Sequence, residues 1–207
     1  MINEPKISVI IPTYNEESYI FECINSILKN RYPEKLVEFL IVDGGSSDNT
    51  IRIIENNFKN KNIKIIKNDQ KIFPAAINIG ISNAKGDYVM IAGAHATYDN
   101  DYLPLCLKHS SPNDKIGNVG GYVNQVWPDS SSYIGKTIIS ALSSKFGVGS
   151  STYRTAKANN EKFVDTVFGG FYPKELFGFI GLFNENLVSS SDIEFNSRLR
   201  KKGYKVL

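Results

Sequence analysis

ISVIIPTYNEESYIFECINSILKNRYPEKLVEFLIVDGGSSDNT, residues 7–50, decides the fold. Ile7-Ser8-Val9-Ile10-Ile11 is a β-branched run stopped by Pro12. Ile20, Cys23, Ile24, Ile27 and Leu28 then recur at offsets of 3, 4, 7 and 8 from Ile20, which puts them on one face of a helix. Val37 to Val42 is a second apolar run, ending at Asp43. Continuous rather than alternating apolar strands, separated by a helix, predict a parallel sheet covered on both faces. The rhythm continues outward. Ser46, Ser47 and Asp48 offer N-caps for a helix with Ile51, Ile54 and Phe58 on its face. Ile63 to Ile66 reads as a strand, Phe73 to Ala84 as a helix and Tyr88 to Ala92 as a strand. The fold class is α/β.

Beyond Asp101 the pattern loosens. Tyr102 to Leu107 is predicted helical, Val119 to Val126 a strand, and Ile134 to Phe146 has helical apolar spacing. FVDTVFGGFYPKELF, residues 163–177, is mixed in character, and a closing helix runs from about Ser191 to Lys202. Pro128 to Ser132 is the best site for a boundary or mobile loop. With no internal repeat or linker, one domain of two halves, 1–100 and 101–207, is the economical organisation.

Composition narrows the function classes. The 207 residues are 42% hydrophobic and 22% charged, ordinary values for a globular chain able to bury its own core. A net charge of +3 and a pI near 8.7, with dispersed basic residues, fall short of a nucleic-acid footprint. The densest basic run, Arg198, Arg200, Lys201, Lys202 and Lys205, is C-terminal and could face anionic lipid or simply solvent. No apolar stretch approaches the ~20 residues of a bilayer span, and MINEPKISV lacks the pattern of a signal peptide. Cys23 and Cys106 lie apart in apolar contexts and read as reduced core thiols, with no disulfide framework or zinc cluster to form.

Two nucleotide folds fail on inspection. A dinucleotide-binding turn needs glycines directly after the first strand, where this chain has Pro12-Thr13-Tyr14-Asn15-Glu16-Glu17. A phosphate-binding P-loop needs a glycine five residues before Gly135-Lys136-Thr137, where Ser130 stands. GVGSS at 147–151 follows a helical pattern and reads as a C-cap and loop.

Ligands of open α/β sheets bind outside the carboxyl ends of the strands, where Pro12 to Glu16 and Asp43 to Thr50 both fall. Asp43 could accept an N–H from a base or a hydroxyl from a ribose, or could be a turn aspartate before Gly44-Gly45. Asp48 suits a helix start without any ligand.

Taken together, PTYNE at 12–16 and VDGGSSDNT at 42–50 resemble the opening of the family 2 glycosyltransferases, whose fold is GT-A, a Rossmann-like, mostly parallel sheet flanked by helices. FPAAINIGISNAKGDYVMIAGAHATYDNDYL is similar to the segment leading into that family's DxD site. NVGG, FGVGSS, VDTVFGG and GLFNENLVSSSDIEFNSRLRKKGYKV resemble its succinoglycan-type exopolysaccharide subgroup. The resemblance implies an inverting transfer of sugar from a nucleotide diphosphate, UDP favoured, to a glycan or polyprenyl-linked acceptor. It implies a nucleotide pocket of Pro12, Thr13, Tyr14, Glu16, Asp43 and Gly93, and Asp192 as general base. Ser191-Asp192-Ile193-Glu194 also spells a capping box, a role that can coexist with catalysis. Asp165, Gly169 and Gly170 would shape the acceptor site, although the two glycines equally suit a tight turn.

Three departures qualify the resemblance. Where the family carries DxD or DAH, this chain has Gly93-Ala94-His95, leaving His95 as the metal or diphosphate contact for Mn2+ or Mg2+. Asp99-Asn100-Asp101 spells DxD six residues too late, and Asp101 reads as a helix N-cap. Ser191 stands where the family often has glutamate. The chain also ends at Leu207, where the subgroup continues into further helices and hydrophobic membrane-associated segments, so either the form is truncated or the membrane contact lies elsewhere. The expected setting is cytoplasmic, with possible peripheral contact at the inner face of the plasma membrane. The rivals are a degenerate, non-catalytic nucleotide-sugar-binding protein and an interaction subunit with no ligand.

Overall fold

The computed structural model describes residues 4–110, 114–123 and 161–207, with isolated helical positions at 133, 136, 137 and 140. The expected helix at 134–146, the loop at 128–132, GVGSS at 147–151 and the end of the strand expected at 119–126 lie outside the described residues or mostly so.

β1 (Ile7–Thr13) is the spine. It pairs in parallel with β2 (Val37–Asp43) on one side and β4 (Tyr88–Ile91) on the other, and β2 pairs in parallel with β3 (Ile63–Lys67). Beyond β4 lies β6 (Phe168–Pro173), antiparallel to both β4 and β5 (Ile116–Gly121), and β7 (Lys205–Val206) closes the order β3-β2-β1-β4-β6-β5-β7. Among the described strands only β6 runs against the rest.

The apolar runs fill both faces. Ile7, Val9 and Ile11 pack with α1 (Ile20–Leu28), α2 (Thr50–Asn57) and α4 (Tyr102–His109). Ile10, Leu40 and Val42 face α3 (Phe73–Asn83), α5 (Leu176–Ile180) and α6 (Ser191–Lys201). Ser8, fully buried in β1, donates to Glu38 and accepts from Gly86 N, so its hydroxyl is satisfied. α3 lies so close to β1 that a Cβ on Gly80 would sit 2.4 Å from Ile10 Cγ2. Cys23 and Cys106 are free, and burial pushes both thiols up to about 12.

Several boundaries differ from the sequence expectation. β3 is an edge strand and half-exposed, because Ile63 and Ile66 are only partly covered by the two cores on the sheet's faces. β5 begins three residues before the expected Val119. The mixed segment resolves into β6 followed by α5, and the two-residue β7 carried no sequence signal.

An aromatic cluster anchors α6. The Phe183 and Phe195 rings stack at 4.5 Å, with Tyr172 edge-on to both and Phe177 tilted against them. Arg198 lies over Phe195, binds the Glu194 carboxylate, and donates to the carbonyls of Ile180 and Leu182. Phe195→Ala is therefore expected to cost about 3–5 kcal/mol in chemical unfolding; a loss below about 1 kcal/mol would show that the cluster does not anchor the helix.

Candidate active site

Parallel pairing brings the ends of β1, β2 and β4 to one edge of the sheet, with Thr13 in register with Asp43. The two segments singled out in the sequence lace into a single structure there. Asn15, in a left-handed conformation, donates its N–H to Ser46 Oγ, and its side-chain oxygen accepts from Ser47 N. Glu16 N donates to Thr50 Oγ1, Glu17 N to Asp48 Oδ2, and Asn49 N to the Glu17 carboxylate. Partial burial opposes ionisation of Asp48, but hydrogen bonds from the Thr50 hydroxyl and N–H and from Glu17 N outweigh it and hold the carboxyl below its usual range. The N-cap position of α2 is Asn49, so the expected caps are corrected: Asp48 satisfies Thr50 N from one residue earlier, while Ser46 serves the loop.

Asp43 is buried, and its carboxylate closes the turn by accepting from Gly45 N and Ser46 N at 2.9 Å and from Ser46 Oγ. It is thus a turn aspartate, held in one orientation at the sheet edge. Thr13 is also buried and donates to Ile11 O, so its side chain serves its own strand, and Pro12 beside it is half-buried. Tyr14 is 57% exposed, and its ring lies 3.5 Å from where a Gly44 Cβ would be. Lys71 went unnoticed in the sequence. It adopts φ 57° and brings its Nζ to 3.8 Å from where a Gly45 Cβ would be, adding a cation beside the turn.

At the end of β4, Gly93 donates its N–H to Tyr98 Oη and accepts from Cys23 Sγ. Burial, with Cys23 nearby, pushes the Tyr98 phenol well up. A Cβ at Gly93 would lie 3.1 Å from Phe168 Cζ, so an aromatic ring crowds the place from which the family's first carboxylate would project. His95 Nδ1 lies 3.3 Å from Glu16 Oε1. One carboxylate and one imidazole make a mixed N/O donor pair, suited to Mn2+ more than Mg2+ once diphosphate oxygens are added. Among the described residues no cluster of three or more metal-ligating side chains occurs. The late DxD is occupied elsewhere: Asp101 holds the N-cap position of α4 but gives its carboxylate to Arg31, and Asp99 Oδ1 accepts from Asp101 N.

Because β6 runs antiparallel, the segment leading into it emerges at this same edge. Thr166 Oγ1 donates to Asp192 Oδ2 at 2.7 Å, and Asp192 is half-buried at the start of α6. The predicted capping box does not form. Ser190 is the N-cap, in a left-handed conformation without a side-chain cap, Ser191 is buried in the first turn, and Glu194 is drawn to Arg198 instead. Asp165 pairs with Arg200. Gly169 and Gly170 lie within β6 rather than in a tight turn. A Cβ on the first, at φ 66°, would sit 2.5 Å from Tyr102 Oη, and one on the second 2.7 Å from Tyr172 Oη.

The Phe168 contact yields a prediction. Gly93→Asp is expected to lower the melting temperature by an amount equivalent to about 1–3 kcal/mol of overpacking, and adding Phe168→Leu should recover most of it. A Gly93→Asp protein that melts with wild type would remove the steric reason for glycine here.

Glycosyl transferase family 2 matches residues 8–178. A Methanococcus voltae protein named dolichyl N-acetyl-alpha-D-glucosaminyl phosphate 3-beta-D-2,3-diacetamido-2,3-dideoxy-beta-D-glucuronosyltransferase is 36% identical over 97% of this chain and 63% of its own length. Among solved structures, the Pyrobaculum calidifontis mannosyltransferase PcManGT with GDP-Man and Mn2+ superposes with a TM-score of 0.72 at 20% identity, over 100% of this chain and 55% of that one. S. aureus TarS 1-349 with UDP-GlcNAc gives 0.72 at 22% identity, over 98% of this chain and 56% of that one. The chain thus spans little more than half of those two structures and under two thirds of the Methanococcus relative. The family match across most of the chain agrees with the sheet order and with the shared strand-end edge: the chain belongs to glycosyl transferase family 2.

Proposed function

We propose that the chain is a GT-A domain that transfers a sugar, with inversion, from a nucleotide diphosphate to a glycan or polyprenyl-linked acceptor. The observation that carries this reading is that one sheet edge holds both the Asp43 turn and the half-buried Asp192 carboxylate. The first half, residues 1–100, supplies the nucleotide side: the Tyr14 ring, the Asp43–Gly45 turn and Lys71 offer a flat face, an acceptor and a cation to a base and its phosphates. The second half supplies the acceptor side around Asp192, Asp165, Gly169 and Gly170. UDP is favoured, in keeping with the ligand in the TarS structure; PcManGT carries GDP-Man.

Asp192 Oδ1 makes no hydrogen bond among the described residues, which supports the reading in which it takes the acceptor hydroxyl's proton. As that O–H bond breaks, its electron pair forms the new bond to the anomeric carbon. The bond from that carbon to the donor's phosphate oxygen breaks on the opposite face, its pair leaves with the diphosphate, and the configuration inverts. Glu16 and His95 would hold a divalent cation, Mn2+ or Mg2+, that neutralises diphosphate charge when bound.

In this reading the product is a cell-envelope polysaccharide such as an exopolysaccharide, or its lipid-linked precursor, built at the cytoplasmic face with peripheral membrane contact. The lipid-linked acceptor in the Methanococcus relative's name supports the second form. No helix among the described residues is long and apolar enough to cross a membrane. Gly93 and the two-donor metal set favour one alternative, a non-catalytic nucleotide-sugar-binding protein.

Calorimetry with UDP, GDP and TDP, with and without Mn2+, separates these readings. One nucleotide should bind, and Asp43→Asn should weaken it about tenfold, or ~1.4 kcal/mol. Asp192→Asn should keep that affinity while abolishing transfer. Binding by a wild type that transfers no sugar would select the alternative, and no binding at all would overturn both readings.

A further inference from the structure

Behind Asp192 runs a buried polar chain that neither capping nor donor binding requires. Thr166 Oγ1 donates to Asp192 Oδ2 at 2.7 Å, Asn196 Nδ2 donates to Thr166 Oγ1 at 3.2 Å, and Asn118 Nδ2 donates to Asn196 Oδ1 at 3.0 Å and to Tyr172 Oη at 2.9 Å. Asn118 and Asn196 are fully buried, and Thr166 and Tyr172 nearly so. The chain links β5, β6 and α6 with the segment before β6. Asn118 Oδ1 is buried without a hydrogen-bond partner among the described residues, a desolvation cost that the arrangement carries.

The donors run in one direction. Asn118 gives to Asn196, the Asn196 amide gives to Thr166, and Thr166 gives to the carboxylate. Amides do not relay protons under ordinary conditions, so the chain is a brace rather than a wire. It engages Asp192 Oδ2, while Oδ1 has no hydrogen-bond partner among the described residues. The Asp165–Arg200 pair also ties the segment before β6 to α6, and the packing of Tyr172 on Phe195 ties β6 to the same helix. Gly170 fits the arrangement, since a Cβ there would sit 2.9 Å from Asn118 Oδ1.

We propose that Thr166, braced by Asn196 and Asn118, is a positioning residue that fixes the Asp192 carboxylate for proton abstraction by the oxygen Thr166 leaves free. The inference rests on Asp192 as the base. Catalysis depends on such placement: a shift near 1 Å in a reacting group can cost about a hundredfold in rate. A role in packing alone would be met equally by valine, which matches threonine in shape.

The test measures nucleotide release from UDP-N-acetylglucosamine and GDP-mannose, whichever the full chain turns over, for wild type, Thr166→Val, Thr166→Ser and Asp192→Asn. Thr166→Val should lower kcat about 10- to 100-fold with the donor KM within about twofold. Thr166→Ser, which keeps the hydroxyl, should stay within about threefold of wild type. Thr166→Ala gives the same reading if the valine variant does not fold. A Thr166→Val enzyme with wild-type kcat, beside an inactive Asp192→Asn, overturns the positioning role alone. An Asp192→Asn enzyme that still turns over, or a wild type that turns over neither donor, removes the base assignment and this inference with it.

Discussion

The parallel pairing of β1 with both β2 and β4 is the constraint on which the site depends. Parallel neighbours cannot be joined by hairpins, so each connection is a helix crossover, and every strand ends on the same side. The Tyr14–Glu17 loop, the Asp43 turn and Gly93–His95 are brought together by that rule alone. Burial on both faces enforces it. With Ile7, Val9 and Ile11 packed on one side and Ile10 on the other, a register slip in β1 would exchange two filled cores. β6, the one antiparallel strand among those described, then delivers Thr166 to the edge where the parallel strands end.

The first half was legible in the sequence because its signals are local. A β-branched run, a helical period and a strand-end aspartate each sit within a few residues, and α1 buries the expected Ile20, Cys23, Ile24 and Ile27. The second half was legible only in part: the helices expected at Tyr102 to Leu107 and from about Ser191 form as α4 and α6, but its strands β6 and β7 were not readable. β6 contains Gly169-Gly170, whose fit is set by Tyr102 and Tyr172 rather than by strand propensity. β7 is two residues long, too short to carry a period. The capping box failed for a similar reason: Ser191 and Glu194 have the right spacing, but Arg198 one turn further on competes for the carboxylate and wins with two charge-assisted hydrogen bonds. Within the site, the family resemblance drew attention to Asp43 and Asp192. Lys71, Thr166 and the Glu16–His95 approach depend on contacts between distant segments that spacing does not encode.

Asp43 shows why a resemblance and a physical reading should be held together. Its carboxylate closes a turn through two N–H groups and a hydroxyl, which accounts for aspartate followed by Gly44-Gly45 without any ligand. The same bonds fix the side chain at the strand end, where a nucleotide would meet it already oriented. Gly93 makes the complementary point. The missing carboxylate is matched by the Phe168 ring close to where it would begin, and the groups proposed to hold a cation in its place are Glu16 and His95.

A crystal structure of the chain with UDP and Mn2+, recorded at a wavelength where manganese scatters anomalously, tests the assembly of this edge most directly. The account predicts uracil beside the Asp43–Gly45 turn and a manganese peak within coordination distance of both Glu16 and His95. A nucleotide seated away from the ends of β1 and β2, or a manganese peak on Asp99 and Asp101, would contradict it.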